Sequence, residues 1–219
     1  RRTDRWGGGP QERIRFVVEV LRRIRGRVGD DLALGIRISG KEFRKGGYDN
    51  LEMREMLYYI GETGLLDFVD IDVGHCWGAP SYVPNSYYGH GQFREYGKAA
   101  KVDLESQEKR IAVLFSGRIN DPVVAEELVR DGFCDLVGMV RAGIADPDFA
   151  VKAREGRLSE IRRCISCTRC IDEASEPRTF PYSPTCSINP VIGNELKWEQ
   201  TYAPATAAVA RRRSRYVNE

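Results

Sequence analysis

The stretch RIAVLFSGRINDPVVAEELVRDGFCDLVGMVRAG, residues 110–143, contains two apolar runs separated by a helix-like segment. The run IAVLF has the length and composition of a buried strand. The helix after it is expected to begin at Pro122 and to end at Gly132, because proline suits the first turn and glycine follows the last. The second run, CDLVGMV, is a short strand. Strand, helix and strand in this order predict a parallel sheet.

The same alternation extends on both sides of this stretch. It predicts strands over residues 32–39 and 67–74, and helices over 10–29, 50–64, 93–102 and 146–156. Asn50 and Asp146 are the expected N-caps of two of these helices, because Asn and Asp side chains accept hydrogen bonds from the first N–H groups. Four βα units preceded by one helix amount to half of an eight-stranded (β/α) barrel. Beyond Arg157 the alternation stops and a cysteine-rich segment begins.

The composition is that of an ordinary globular domain. The chain has 219 residues, of which 42% are apolar and 30% charged, with a formal net charge of +2. This balance gives no indication of a nucleic-acid partner. No apolar run approaches the roughly 18 residues of a membrane span, and no secretory signal is visible. We therefore expect a cytoplasmic protein without disulfides. The absence of an initiator Met indicates a piece of a longer chain.

Four cysteines are closely spaced in the C-terminal part. Cys164, Cys167 and Cys170 follow one another at two-residue spacing in CISCTRC, and Cys186 comes later. Thiolates bind soft metals, and a tight triple with a distant fourth thiol is typical of iron–sulfur ligation. Zinc sites more often use two separated Cys-x2-Cys pairs. The spacing favours iron–sulfur and leaves zinc or unligated thiols as alternatives, whereas the isolated Cys134 is expected to be buried.

Two glycine–arginine turns follow consecutive strands, in SGRINDP (116–122) and GMVRAG (138–143). Gly117 and Gly138 would let backbone amides approach an anion, and Arg118 and Arg141 would supply charge. The helix after the first turn would add its positive end. In (β/α)8 barrels a phosphate group often lies at the loops after the last two strands. We therefore predict a phosphate site here, against the alternative that these are ordinary turn glycines.

Arg37 lies on the strand LALGIRIS, on the face shared with Ala33 and Gly35. An arginine on the inner face of a barrel needs an anionic or electron-rich partner, because an unpaired buried charge is costly. That partner is either a bound ligand or one of two acidic residues on the next strand, Asp70 and Asp72. The residues alone leave both possibilities open.

A loop rich in aromatic residues follows the strand 67–74. Trp77, Tyr82, Tyr87 and Tyr88 are candidates to line the mouth of a pocket, and aromatic faces bind cations well. The two histidines of the chain, His75 and His90, also lie here. Hydrogen bonding within the loop is the simpler role for both.

Several segments in one order resemble the old yellow enzyme family. They are TDRWGGGPQERIRF, GIRIS, SGRINDP, DLVGMVRAGIADPDFAVKAREGR and IRRCISCTRC. The cysteine segment is similar to that of the family's iron–sulfur flavoprotein branch, which includes trimethylamine and histamine dehydrogenases, N-demethylases and 2,4-dienoyl-CoA reductase. The resemblance covers about residues 1–200. It implies an α/β fold that is the C-terminal half of a (β/α)8 TIM barrel, followed by an iron–sulfur segment.

The resemblance also implies two cofactors, FMN and a 4Fe-4S cluster. Arg37 matches the arginine that contacts the flavin ring, where it stabilises the reduced, anionic form. The flavin phosphate is matched by the two turns and the cluster by the cysteines, namely Gly117, Arg118, Gly138 and Arg141, and Cys164, Cys167, Cys170 and Cys186. The implied domains are a half barrel at 1–157, a cluster segment at 158–197, and a linker or tail at 198–219 towards a nucleotide-binding domain.

The implied activity is flavin-dependent oxidation of a small-molecule amine, by N-demethylation or dehydrogenation. Electrons would pass from FMN to the cluster and on to an external acceptor. Trp77 is placed where amine dehydrogenases carry an aromatic residue that contacts the substrate ammonium. The family's catalytic Tyr and His residues lie on earlier strands, so this chain alone is expected to be incomplete, and the intact enzyme is expected to be a homo-oligomer without membrane or nucleic-acid partners. An NAD(P)H-dependent enoate or 2,4-dienoyl-CoA reductase, or a non-catalytic truncated remnant, are the alternatives.

Overall fold

The structure is a computed structural model that describes residues 2–76, 78–171 and 185–196. Trp77 and the predicted tail at 198–219 therefore lie outside the described residues. The chain forms two compact units, Arg1–Ala142 and Gly143–Glu219. None of the described helices is long and apolar enough to cross a lipid bilayer.

A four-stranded parallel sheet organises the first unit, with its strands in sequence order. The strands are β1 (Gly35–Ser39), β2 (Phe68–Asp72), β3 (Ala112–Ser116) and β4 (Leu136–Gly138). The helices of the chain are α1 (Pro10–Val28), α2 (Asn50–Gly61), α3 (Arg94–Leu104), α4 (Pro122–Arg130), α5 (Val140–Ala145) and α6 (Phe149–Arg154), followed by a 3-10 turn at Leu158–Glu160. This order confirms the prediction of consecutive parallel βα units.

The two faces of the sheet differ in chemistry. On one face Val69, Ile71, Val113 and Phe115 are fully buried and join the core formed with α1, α2 and α3. Burying side chains of this size stabilises the fold by about 1.5–3 kcal/mol each. Because side chains alternate along each strand, the other face carries the polar residues of the sheet together with apolar Phe68 and Leu114. Arg37 lies on this second face, opposite Asp70 of the neighbouring strand.

Two helix ends differ from the prediction. The N-cap of α2 is Asp49, whose carboxylate accepts hydrogen bonds from the N–H groups of Leu51 (3.0 Å) and Glu52 (3.1 Å). Glu52 completes a capping box by accepting from the Asp49 N–H. Asn50 is thus the first helical residue, since the preceding carboxylate has already taken the cap position.

The second difference concerns the segment after β4. It was predicted as a turn, but it forms the short helix α5. The next helix, α6, has Asp148 as its N-cap residue, and Asp146 is fully buried beside it. The N-cap of α6 is thus Asp148, and the prediction of Asp146 is wrong. The Asp146 carboxylate accepts the Asp148 N–H and also pairs with Lys152 and Arg162.

Candidate functional site

Arg37 is held by two carboxylates on the neighbouring strand. Its Nε donates to Asp72 Oδ2 at 2.8 Å, and its Nη1 donates to Asp70 Oδ2 at 3.0 Å. The other oxygen of Asp70 accepts a hydrogen bond from the Ser116 hydroxyl at 2.9 Å. Three neighbouring strands thus contribute to one polar network, because β1, β2 and β3 pair in register.

The network leaves part of Arg37 accessible. Its side chain is 47% exposed, whereas those of Asp70 and Asp72 are mostly buried. Burial raises the pKa of Asp72, and the nearby charge of Arg37 opposes this rise. The two carboxylates offset the charge of the guanidinium. They do not use all five of its N–H donors, so Arg37 offers a ligand hydrogen-bond donors rather than net positive charge. The ion-pair alternative for Arg37 is therefore realised with both acidic residues.

The glycines of the predicted phosphate site are constrained by their neighbours. A Cβ on Gly138 would collide with the Ser116 hydroxyl and would lie 2.9 Å from Leu114 Cδ2. A Cβ on Gly117 would lie 3.2 Å from the Phe115 ring. Gly138 is therefore required for close approach between β4 and β3, a packing reason that holds whether or not an anion binds there.

The two arginines of these turns have different surroundings. Arg118 adopts a φ of +52°, and its guanidinium donates to the Tyr88 carbonyl in the loop after β2. Arg141 has a buried Nη1 without a hydrogen-bond partner among the described residues. A buried unpaired donor is costly, so this atom fits an anionic or oxygen-bearing ligand.

The helix after the first turn begins with a capping carboxylate. Asp121 is the N-cap of α4, and its carboxylate accepts the Val123 N–H at 3.0 Å. The contribution of this helix end to the predicted phosphate site therefore stays a prediction, with one of its N–H groups already bonded to the cap.

The aromatic loop is described except for Trp77. Tyr87 is 93% exposed and Tyr82 is 40% exposed. Tyr88 instead packs against Phe93, with ring centroids 5.7 Å apart. Within the described part of the loop, Tyr82 and Tyr87 are thus available to a ligand, and Tyr88 supports the fold.

None of the six cysteines, all of which lie in the described residues, forms a disulfide. Cys134 is buried as expected, and burial raises the pKa of its thiol to about 11. Cys167 is exposed, and hydrogen bonds from the Ser187 hydroxyl and the Arg169 N–H lower the pKa of its thiol. A thiolate is the form that binds metals, so Cys167 is chemically prepared for ligation and Cys134 is not.

The cysteine triple and Cys186 are neighbours in space. Cys167 Sγ lies 3.5 Å from the hydroxyl of Ser187, the residue directly after Cys186. The Ser166 N–H donates to Cys164 Sγ at 3.3 Å, and the Ile188 N–H donates to Cys186 Sγ at 3.4 Å. Amide donors facing sulfur are the hydrogen bonds that tune iron–sulfur centres. The donor set therefore fits a thiolate-bound cluster in its chemistry.

The described cysteine side chains are not arranged as a metal-binding group. Among the described residues, no group of three or more His, Cys, Asp or Glu side chains is arranged to hold a metal ion. The cysteine ligand set thus stays a prediction, as do the roles of Arg37, Arg141 and the glycine turns.

Sequence reasoning missed several contributors to these sites. Ser116 supports Asp70 from the adjacent strand. It lies on the same face, two residues beyond Leu114, which pairs with Asp70, and this register could not be read from the sequence. The Tyr88 carbonyl gave no sequence signal, because any residue has a carbonyl and only the fold brings it to Arg118.

Relatives with known names cover most of this chain. The N,N-dimethylglycine/sarcosine dehydrogenase of Chromohalobacter salexigens is 35% identical over 175 residues, which are 78% of this chain and 24% of that protein. A 2-naphthoyl-CoA reductase in complex with 2-naphthoyl-CoA is similar in structure, with a TM-score of 0.77 and 30% identity over 89% of this chain and 28% of the other. The chain thus spans about a quarter of the length of these relatives.

A further solved structure has a different activity in its name. It is the 6-hydroxypseudooxynicotine amine oxidase of Pseudomonas geniculata, with a TM-score of 0.71 and 27% identity over 89% of this chain and 28% of the other. The profile of the NADH:flavin oxidoreductase / NADH oxidase family matches residues 1–160. This match covers well over half of the sequence, and the chain belongs to that family of flavin-dependent oxidoreductases.

Proposed function

We propose that this chain is the cofactor-binding part of an FMN-dependent oxidoreductase that oxidises a small amine. The observation that carries the proposal is the half-exposed Arg37 guanidinium, oriented by Asp70 and Asp72 on the polar face of the sheet. Family membership supplies the flavin, and the network supplies a donor group whose direction is fixed before any ligand binds.

Arg37 is the proposed contact to the flavin ring. When bound, FMN supplies the acceptor for the electron pair of the substrate. The guanidinium would donate hydrogen bonds to the ring oxygens and so favour the charge that develops there. Asp70 and Asp72 would act by holding Arg37 in place, since a donor that needs no reorientation is worth more to a reaction.

Arg141 is the proposed contact to the flavin phosphate. Its buried Nη1 has no partner in the described part of the chain, and an anion would satisfy it. Gly117 and Gly138 would keep backbone close to the phosphate, as the resemblance implies. Arg118 contributes indirectly in this proposal, because its guanidinium is engaged by the Tyr88 carbonyl.

The four cysteines are the proposed ligands of a 4Fe-4S cluster, with Cys164, Cys167 and Cys170 on one segment and Cys186 on the other. A bound cluster supplies one-electron transfer. The support is the amide hydrogen bonds to the sulfurs of Cys164 and Cys186 and the contact between Cys167 and the Ser187 hydroxyl.

An amine is the proposed substrate, of the N-methylated or secondary type. The names of two relatives support this class, since one is a dimethylglycine/sarcosine dehydrogenase and one an amine oxidase. Trp77 remains the proposed contact to the substrate ammonium, and the exposed Tyr82 and Tyr87 of the same loop are suited to a cation.

A second candidate function is reduction of a conjugated substrate with NAD(P)H. The structural similarity to 2-naphthoyl-CoA reductase favours it, because that match has the higher TM-score of the two structures. The same Arg37 network would serve either direction of electron flow.

Cofactor binding is the first test. We expect the purified chain to bind FMN in a fluorescence titration and to carry iron and sulfide. Arg141→Gln should weaken FMN binding about 10- to 100-fold, since each charged hydrogen bond to phosphate contributes about 1.5–3 kcal/mol. Arg130→Gln, on the exposed end of α4, is the matched control and should bind normally. Absence of FMN binding by the unsubstituted chain would contradict the proposal.

The direction of electron flow is tested with the protein as it is encoded. Under anaerobic conditions we expect N,N-dimethylglycine or sarcosine to bleach the flavin absorbance. The second candidate function would instead be established if NADH bleached the flavin, amines did not, and cinnamoyl or naphthoyl substrates then reoxidised it.

A further inference from the structure

A short segment at the start of the second unit contacts both cysteine regions. It consists of Ile144, Ala145 and Asp146, and we call it the anchor segment. It lies at the end of α5 and in the connection to α6. Ala145 and Asp146 are fully buried. The position of this segment is therefore well defined, and chain that is hydrogen-bonded to it is held in place.

Asp146 holds the chain that leads into Cys164. Its Oδ2 accepts the Arg162 N–H at 2.9 Å and the Lys152 ammonium at 2.7 Å. Its Oδ1 accepts the Asp148 N–H at 3.2 Å. Arg162 precedes Cys164 by two residues, so one buried carboxylate fixes the backbone where the cysteine triple begins.

Asn189 holds the chain that follows Cys186. Its side chain is buried, and Nδ2 donates to the Ile144 carbonyl at 2.8 Å. Its Oδ1 accepts the Val191 N–H at 3.2 Å. Both polar atoms of this amide are thus used, one to fix its own turn and one to reach the anchor segment.

We propose that Asp146 and Asn189 are positioning residues that set the separation between the cysteine triple and Cys186, so that the fourth thiol can close the metal site. This inference rests on the proposed cluster. Its basis is that both cysteine regions are tied to the same three residues, Ile144 to Asp146, by hydrogen bonds to buried groups.

The sequence shows why such an anchor is needed. Fifteen residues separate Cys170 from Cys186. A connection of that length does not by itself fix the position of Cys186 relative to Cys170. Loop-closure entropy changes only slowly with length, so many separations of the two ends have a similar cost. Groups that orient metal ligands without touching the metal typically change metal affinity about 10- to 100-fold. Asn189 and Asp146 both fit this role, since each fixes backbone beside a cysteine without being a ligand itself.

Asn189→Asp is the sharpest variant. It keeps the acceptor towards Val191 and replaces the donor to the Ile144 carbonyl with a carboxylate oxygen. The added charge is matched in the control variant. Its matched control is Asn194→Asp, since exposed Asn194 also donates Nδ2 to a backbone carbonyl, that of Ile192, at 3.4 Å. Cys186→Ser serves as the reference for a site that has lost its fourth thiolate.

Iron and sulfide are measured in the full chain after anaerobic reconstitution, together with electron paramagnetic resonance of the oxidised protein. We expect about four irons in the unsubstituted chain and in Asn194→Asp. Asn189→Asp should resemble Cys186→Ser, with a three-iron signal and release of iron to a chelator about 10- to 100-fold faster. A merely structural role would lower the amount of cluster without producing the three-iron signal.

The outcomes separate this inference from the proposed function. No iron in the unsubstituted chain would overturn the proposed cluster and this inference together. A complete four-iron cluster with unchanged iron release in Asn189→Asp would overturn the inference and leave the cluster standing.

A measurement without metal tests the inference even if a variant cannot be reconstituted with iron. In the apo chain, diamide oxidises two neighbouring thiols to a disulfide, taking up their two electrons and two protons. We expect disulfides between Cys186 and the triple to form more slowly in Asn189→Asp and in Asp146→Asn. Asp148→Asn, at the exposed N-cap position of α6, is the control for Asp146. Equal rates in the variants and their controls would overturn the inference.

Discussion

At the scale of single residues, Gly138 shows how one side chain can exclude another. The Ser116 hydroxyl occupies the space that a Cβ on Gly138 would need, and the same hydroxyl donates to Asp70. Ser116 cannot move aside without giving up that hydrogen bond. The glycine is thus tied, through Ser116 and Asp70, to the orientation of Arg37.

Gly138→Ala is therefore expected to destabilise the first unit by about 1–3 kcal/mol, the usual cost of forcing an extra carbon into filled space. Gly26→Ala is the control, because Gly26 lies inside α1 with nothing near its would-be Cβ. That change should stabilise by about 0.5–1 kcal/mol, since alanine favours helix. Urea unfolding of both variants checks this, and equal midpoints would contradict it.

Asp67 supplies the clearest pH dependence. Burial works against its ionisation, but hydrogen bonds from Lys109, the Leu34 N–H and Arg25 outweigh burial and hold its pKa well below the usual range. A carboxyl whose pKa is lower in the folded chain stabilises the fold above its unfolded pKa of about 3.9. That stabilisation is lost as the pH falls through the folded pKa.

We therefore expect the free energy of unfolding to decline with acid below about pH 4 and Asp67→Asn to flatten that decline. Asp31→Asn, at an exposed position, should leave the slope unchanged. Denaturant melts from pH 2 to pH 7 measure both. An acid limb as steep in Asp67→Asn as in the parent would show that other carboxyls cause it.

At the scale of elements, the start of α2 distinguishes a predicted from an observed cap. Asp49 makes the capping box, while Asn50 Oδ1 is buried without a hydrogen-bond partner among the described residues. Asp49→Ala should cost about 0.5–2 kcal/mol of stability, as other cap removals do. Asn50→Ala should be close to neutral, because it removes a polar atom that has no bond to lose. Thermal melts would contradict this assignment if Asn50→Ala were the more damaging change.

The order and type of the long elements could be predicted from sequence. The apolar spacing of α1 and the apolar runs of β2 and β3 are local signals, and the structure follows them. The N-cap of α2 was misassigned by one residue because Asp49 and Asn50 are both good caps. The short helix α5 was missed because Val140, Gly143 and the other residues of VRAGIA carry no strong helical pattern over six positions.

The candidate site was predictable in its residue types and less so in its contacts. Arg37 and its acidic partners follow from strand alternation, which is a property of the sequence. The burial of Asp146 is not, since its carboxylate is satisfied by Lys152 six residues later and by Arg162 sixteen residues later. Neither separation is the three or four residues that make neighbours on a helix, and no strand joins these positions, so only the packed fold brings these groups together.

At the scale of the whole molecule, the division into two units predicts that metal removal acts locally. If the cluster is bound by the cysteines of Gly143–Glu219, an iron chelator should speed amide hydrogen exchange at residues 161–170. The sheet of the first unit is held by its own core, so amides of β2 and β3 should exchange as before. Hydrogen exchange with and without chelator measures this. Equal acceleration in the two units would contradict the prediction.

The contact between Ser116 and Gly138 also limits how this chain can change over evolutionary time. A larger residue at position 138 requires Ser116 to become smaller and Leu114 to shift, and the change at Ser116 removes a donor from Asp70. The two positions are therefore expected to vary together in descendants of this sequence, with the loss at Asp70 as the barrier between the two combinations. The Ser116 hydroxyl is thus a local contact that also limits which residues positions 116 and 138 can acquire in related sequences.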